Sequence, residues 1–168
     1  MNWAQRISTV FAMDDATWRR HANPWSVWTR FAAFPLLVLA IWSRVWLGWW
    51  ALVPTAVMVV LLWYNPRAFP PPRSTDSWAS KAVLGERVWL ARGVIPIPPH
   101  HARIAGLLSV LAAAGMVLLV WGLYALAIWP TLFGGTLIIL GKLWFVDRMV
   151  WLYEDMKDAS PQYRSWLY

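Results

Sequence analysis

The chain has 168 residues, of which 60% are hydrophobic and only 14% charged, too apolar a balance for an ordinary soluble domain of this size. It has no cysteine, which excludes disulfides, thiolate catalysis and cysteine-ligated metal or iron–sulfur centres. The formal net charge of +7 comes from basic residues beside apolar stretches with no recognition fold, so it reads as a topology signal and not as a nucleic-acid surface.

Residues 1–26 form a polar N-terminal segment. Trp3, Ile7, Val10 and Phe11 share one helical face and suit a short helix lying in the membrane interface. Asp14 or Asp15 caps a second short helix through His21, and Asn23-Pro24 stops it, because the residue before proline avoids the α region. No small-residue cleavage site follows the first apolar stretch, which is therefore expected to act as an uncleaved anchor.

Two apolar stretches, Val27–Trp42 and Val45–Tyr64, form hairpin 27–64, with little more than Ser43 and Arg44 between them. Each is close to the roughly 20 residues that cross a bilayer. Pro35 and Pro54 fall inside them, where a lost donor is tolerated if neighbours satisfy the freed carbonyl. The first stretch is short, so a re-entrant hairpin is the rival topology.

The connection 65–103 is basic and proline-rich. Asn65-Pro66 is expected to end the second span, and Pro70-Pro71-Pro72 to form a stiff extended piece. Asp76 or Ser77 caps a helix to about Arg92, stopped by Gly93, with Trp78, Ala82, Trp89 and less cleanly Val88 on one side, as a helix lying along the membrane surface requires.

Hairpin 104–152 joins Ile104–Trp129 to Thr131–Trp151 across Pro130. Ala105, Ser109 and Ala113 form a small-residue ladder for close helix approach, and Gly115 and Gly122 add a second pair. Residues 153–168 are the tail. Many of the 16 tryptophans, including Trp25, Trp28, Trp42, Trp46, Trp129 and Trp151, fall near span ends, as an aromatic belt requires. Basic residues concentrate before the first span, in the connection and in the tail. The positive-inside rule then places both termini and the connection in the cytoplasm, and the expected location is the plasma (inner) membrane.

Lys142 is the costliest residue: counted from Thr131 it lies about 16 Å into its span, and intramembrane charge is a functional-site signal by default. No acid lies three or four residues away, so its carboxylate partner must come from another element, unless the ammonium snorkels to the headgroups. A transporter using Lys142 is a weaker alternative, since four helices leave little room for a gated path. Asp147, Glu154 and Asp158 make a carboxylate stripe at the end of the same helix. His21, His100 and His101 with Asp147, Glu154 and Asp155 supply imidazole and carboxylate for an oxygen/nitrogen metal site, though no HExxH or EF-hand spacing occurs. Arg19, Arg20, His21, Arg30, Arg87, His100, His101, Arg103 and Arg148 can instead meet a lipid phosphate. No P-loop, nucleophile elbow or dinucleotide fingerprint is present.

Three segments are distinctive: Arg20–Ser26 with Trp28-Thr29-Arg30, Leu84–Arg87 followed by Pro99-His100-His101, and Trp144–Asp155. Together they resemble an uncharacterised family of small prokaryotic four-helix membrane proteins, a domain of unknown function. The resemblance covers nearly the whole chain and implies a stand-alone polytopic protein without a known activity. All three segments fall on the expected cytoplasmic side. The expectation is therefore one polar cluster of His21, Arg30, Glu86, Arg87, His100, His101, Asp147, Arg148 and Glu154, against three separate topology-setting boundaries. The fold expected is an all-α bundle of four transmembrane helices in two tight hairpins, with cytoplasmic amphipathic helices. The function expected is a non-catalytic accessory subunit or lipid-contacting scaffold. A membrane-embedded metal-binding protein or enzyme using the polar cluster is the alternative. Candidate ligands are a metal ion and an anionic lipid, and candidate partners are membrane lipids, another membrane protein or a second copy of the chain.

Overall fold

The structure, a computed structural model, describes residues 13–168 and is helical, without strands among those residues. The interfacial helix expected from Trp3 to Phe11 lies outside the described residues. Helix α1 (Asp15–His21) starts where a carboxylate can satisfy its free N–H groups: the Asp14 side chain accepts from Thr17 N at 2.7 Å. Asn23 then caps α2 (Pro24–Trp42), accepting from Trp25 N at 3.0 Å, and Pro24 takes the first helical position, where its missing N–H is harmless.

The chain reverses through the short α3 (Arg44–Leu47) and a 3₁₀ turn at Gly48–Ala51, with Gly48 at φ 54°, into α4 (Leu52–Ala68). Pro54 falls in the first turn of α4 and costs no hydrogen bond there, whereas Pro35 is inside α2 as expected. Pro66 does not end α4, which continues to Ala68. The start of α2 returns to the end of α4, where Ser26 and Asn65 are both buried and bonded.

Helix α5 (Trp78–Ala91) begins at Ser77, whose hydroxyl accepts from Ser80 N at 3.1 Å. It differs from the one-sided surface helix expected. Ala79, Ala82, Val83, Leu84, Gly85 and Val88 are all buried, because α5 is laid along one face of α7 (Ile128–Met156) and also touches α1 and α2. That face is spaced as a helical stripe: Lys142, Val146, Met149, Tyr153 and Met156. A Cβ on Gly85 would lie 1.8 Å from the Met149 carbonyl oxygen, so the crossing exists only because residue 85 has no side chain.

Helix α6 (Pro99–Ala125) is antiparallel to α7, and the turn is Leu126-Ala127, with Leu126 left-handed at φ 53°. The turn is thus not at Pro130, which sits in the first turn of α7. Nor is the expected small-residue ladder the contact face. Ser109 and Ala113 are exposed, while Ala105, Leu108, Gly115, Leu119 and Gly122 are buried. Gly115 and Gly134 are in backbone contact, since a Cβ on Gly134 would meet Leu119 N at 2.5 Å and Gly115 O at 2.7 Å. After α7 the tail folds back through α8 (Pro161–Arg164): Tyr153 donates to Tyr163 O at 3.0 Å, and Thr75 N donates to Tyr168 O at 2.8 Å.

Three helical stretches are long and apolar enough to cross a membrane: 24–68, which contains the reversal at Gly48, 99–125 and 128–156. Their most apolar windows are only 6%, 22% and 17% buried within the protein, and Leu107, Val110, Val117, Val120 and Trp121 are among the exposed residues. A surface this apolar is stable against lipid and not against water. The fully buried side chains gather at the other end, where α5, the lower half of α7 and α8 enclose Val88, Met149, Leu152 and Tyr153.

Candidate functional site

Lys142, at the midpoint of α7, does find its carboxylate on another element: its Nζ lies 2.5 Å from Glu86 Oε1 of α5 and 4.8 Å from the Phe145 ring centre. The contact at Gly85 seats the neighbouring Glu86 there. Arg30 of α2 and His21 of α1 complete a quartet around a cavity of about 180 Å³, walled by Val27, Phe31, Phe34, Ile138, Ile139 and Val146 among others. That is more than ten times the ~10–15 Å³ one water needs on the same measure.

The quartet carries three full charges, two positive and one negative. Burial opposes ionisation of Glu86, but Lys142, His21 and Arg30 outweigh it and hold the carboxyl below the usual range. Burial also dominates at His21, only 4% exposed, and with the nearby Arg30 charge it pushes the imidazole down to about 3. His21 is therefore neutral at physiological pH, and the site bears a net charge of +1.

The hydrogen bonds settle which tautomer His21 adopts. Thr29 Oγ1 lies 2.5 Å from the Trp25 carbonyl oxygen, which can only accept, so the threonine proton is spent there. Thr29 must then accept from Asn65 Nδ2, at 2.8 Å, which turns Asn65 Oδ1 toward Ser26. Ser26 donates to that oxygen at 2.9 Å, and with its single proton used it accepts from His21 Nδ1, at 2.8 Å. His21 is thus Nδ1-protonated, and Nε2 is a bare acceptor on the edge facing Arg30. Its one contact there, Arg30 Nη1 at 3.4 Å, is at the long limit of hydrogen bonding.

Above the quartet, a second cavity of about 490 Å³ runs between α2 and α7, walled by Pro35, Val38, Trp42, Ile128, Leu132 and Gly135 among others. The two cavities share Phe34 and Ile139, and the first hairpin touches α7 only lightly. From Lys142 to Ile128 the groove follows about 21 Å of helix, compared with about 15 Å for one leaflet of the hydrocarbon core.

The other expected site residues lie apart from this quartet. Arg87 points to the opposite side of α5, where it pairs with Asp15 and stacks over Trp166 at 4.0 Å. Asp147 accepts from Trp78 Nε1 at 3.1 Å, and Arg148 reaches Asp147 at 3.3 Å. Glu154 holds Lys81 at 2.8 Å and Lys157 at 2.7 Å. His101 Nε2 lies 2.8 Å and His100 Nε2 3.9 Å from Asp155 Oδ2, and one donor atom from each of these three residues lies within 4.8 Å of the others. The expected single polar cluster is thus several separate groups, because residues one apart on a helix point about 100° apart. Of the proposed metal donors His21, His100, His101, Asp147 and Glu154, only His100 and His101 meet, and with Asp155. Sequence reasoning missed Ser26, Thr29 and Asn65. Asn65 was read only as a helix terminator, and its partners lie 36 and 39 positions away.

No curated protein and no solved structure matches the chain. A family model covers residues 3–166, and it carries no activity with it. This polar quartet under an apolar groove thus belongs to a member of the family of unknown function DUF6653.

Proposed function

We propose that the chain is a four-span protein of the plasma (inner) membrane with both termini in the cytoplasm, and that it is a lipid-contacting scaffold holding an anionic lipid between its two hairpins. Two features support the four spans: α2 with 19 residues and α4 with 17 are each near the crossing length, and the break at Gly48 reverses the chain. The lipid head lies against Arg30 and Lys142, and its acyl chain lies in the groove toward Trp42 and Ile128. One observation carries this reading. The quartet keeps one positive charge in excess, and Arg30, with five donors, makes only the 3.4 Å contact to His21 among the described residues. An under-compensated cation in a half-buried site favours an anion, and a guanidinium fits a phosphate through two parallel hydrogen bonds. The test is native mass spectrometry of the protein from nanodiscs of phosphatidylcholine with a minor fraction of phosphatidylglycerol. The wild type is expected to retain one phosphatidylglycerol, and Arg30→Gln to lower that retention about tenfold. Equal retention by both refutes the reading.

The three converging donors of His100, His101 and Asp155 favour a second reading, a divalent transition metal held at the start of α6 and the end of α7. Stoichiometric zinc or nickel in the purified protein, lost in His100→Ala/His101→Ala, is the expected result. Metal content unchanged by the substitutions removes this reading.

A further inference from the structure

We infer that the anion bound at Arg30 is a phosphodiester whose head carries its own hydroxyl donor, a glycerophosphate-type lipid head, and that His21 reads that hydroxyl. This rests on the lipid reading above and specifies the ligand class.

The argument starts from a carbonyl that can only accept. Trp25 O fixes the direction of the Thr29 proton, Thr29 fixes the orientation of the Asn65 amide, Asn65 fixes the Ser26 proton, and Ser26 fixes the proton of His21 on Nδ1. Every step before the imidazole is satisfied, and each distance lies between 2.5 and 2.9 Å. The chain ends at Nε2, an acceptor on a side chain 4% exposed, at the wall of the cavity, with nothing better than a 3.4 Å contact. A buried acceptor left without a full hydrogen bond is costly, and a ligand that brings a proton to it recovers that cost.

His21 so held cannot donate to a phosphate, which separates it from Arg30 and Lys142. A head that fills the site must present negative oxygens to the cations and a donor to Nε2. Charge selects among heads that meet both conditions. A phosphodiester monoanion matches the net charge of +1. An ammonium donor brings a further positive charge beside Arg30 and Lys142, whose one carboxylate, Glu86, is already taken by Lys142 at 2.5 Å. A hydroxyl brings the proton without the charge.

The experiment compares phosphatidylglycerol with phosphatidylmethanol of the same acyl chains, each as a minor component of phosphatidylcholine nanodiscs containing the full chain. Both heads are monoanionic phosphodiesters, and only the first has hydroxyls. The wild type is expected to retain phosphatidylglycerol about tenfold more than phosphatidylmethanol, the difference one buried hydrogen bond makes. Ser26→Ala removes the acceptor that holds the Nδ1 proton, together with the hydroxyl donor to Asn65 Oδ1, and His21→Phe removes the Nε2 acceptor itself. In both variants the ratio falls toward one, whereas Arg30→Gln lowers retention of the two lipids together. Equal retention of the two lipids by wild type, with both still dependent on Arg30, overturns this inference and leaves the lipid reading standing. Retention of neither lipid overturns both. Soluble glycerophosphoglycerol, the deacylated diester, displacing the lipid at equal concentration overturns the lipid as the source while keeping the hydroxyl requirement.

Discussion

Replacing Lys142 with methionine keeps the length of the side chain and removes its charge, leaving Glu86 without the ammonium 2.5 Å away. Breaking one side of a buried ion pair costs about 3–5 kcal/mol, because the remaining charge stays desolvated and unpaired. The Glu86 side chain is 20% exposed and that of Lys142 46%, so the pair is half-buried and the cost lies between that of an exposed pair and that range, about 1–2 kcal/mol. Stability is read by reversible unfolding in mixed micelles with increasing denaturing detergent. The pH dependence supplies a second test. In the wild type, burial works against the Glu86 carboxylate but its cationic neighbours hold its pKa below 4.5, so its contribution is present above that value and is lost as pH falls through the folded pKa. Without Lys142 the balance shifts toward burial and the carboxyl takes up its proton at a higher pH. The deficit of Lys142→Met is therefore largest at neutral pH and narrows on acidification. Lys142→Met/Glu86→Gln leaves no unpaired charge at this position and is expected to regain most of the loss. A single variant within about 0.5 kcal/mol of wild type, the usual range for a surface change, or a double variant no better than the single, refutes the assignment of Lys142 and Glu86 as a half-buried pair.

His21, pushed by burial and Arg30 to about 3, stays neutral in the folded chain while the unfolded chain takes up a proton near 6.5. Stability from this group therefore falls as pH drops from 6.5 toward 3, by at most about 1.4 kcal/mol per unit, and an imidazole carbon resonance of His21 followed by NMR shows no titration between pH 8 and 5. Gly85→Ala places a methyl carbon against the Met149 backbone, which cannot move aside as a side chain can, so α5 separates from α7. A loss of more than about 3 kcal/mol follows, and the same variant lowers phosphatidylglycerol retention because Glu86 and Lys142 no longer meet. Asn65→Leu interrupts the hydrogen-bond chain at a residue 8% exposed, leaving the Ser26 hydroxyl without its acceptor and Thr29 Oγ1 without its amide donor. It is expected to cost about 1–3 kcal/mol and to abolish the preference for hydroxyl-bearing lipid.

The local signals in the sequence were reliable where one residue decides one feature. Asp14, Asn23 and Ser77 cap the helices they were expected to cap or delimit, since a short polar side chain beside free N–H groups has few alternatives. Prolines misled because position within a helix decides their effect. Pro54 and Pro130 are absorbed in first turns, and Pro66 sits inside the last turn of α4, which runs on to Ala68. The small-residue ladder of α6 was read one face away from the true contact. Ala105 was right, but the contact continues through Leu108 and Gly115 and not through Ser109, and glycines win it because only they let two backbones touch.

The site itself was half legible, and the missing half has a single physical origin. Along α7 two stripes run in parallel. Asp147 and Glu154 make the polar one, whose carboxylates at helical spacing suggest a surface. Lys142, Val146, Met149, Tyr153 and Met156 make the other, which is apolar except at its first member. The second is the one buried from Val146 onward, and what buries it is the connecting helix α5, whose Trp78 and Lys81 also reach Asp147 and Glu154 at its edge. That is why Glu86 is the partner Lys142 required, and why Gly85, one residue earlier, had to be small. A charged residue opening an otherwise apolar stripe says that the covering helix brings the opposite charge; the sequence of α5 alone, with Lys81, Glu86 and Arg87, does not say which of its faces is turned inward. The chemistry of the cavity follows from that docking. Once Glu86 is engaged by Lys142, Arg30 is the cation left over, and the neutral His21 beside it offers a lone pair and no further charge. One excess cation and one directed acceptor at the foot of an apolar groove are what support the proposed ligand, a head that is anionic and donates on a tail that is apolar.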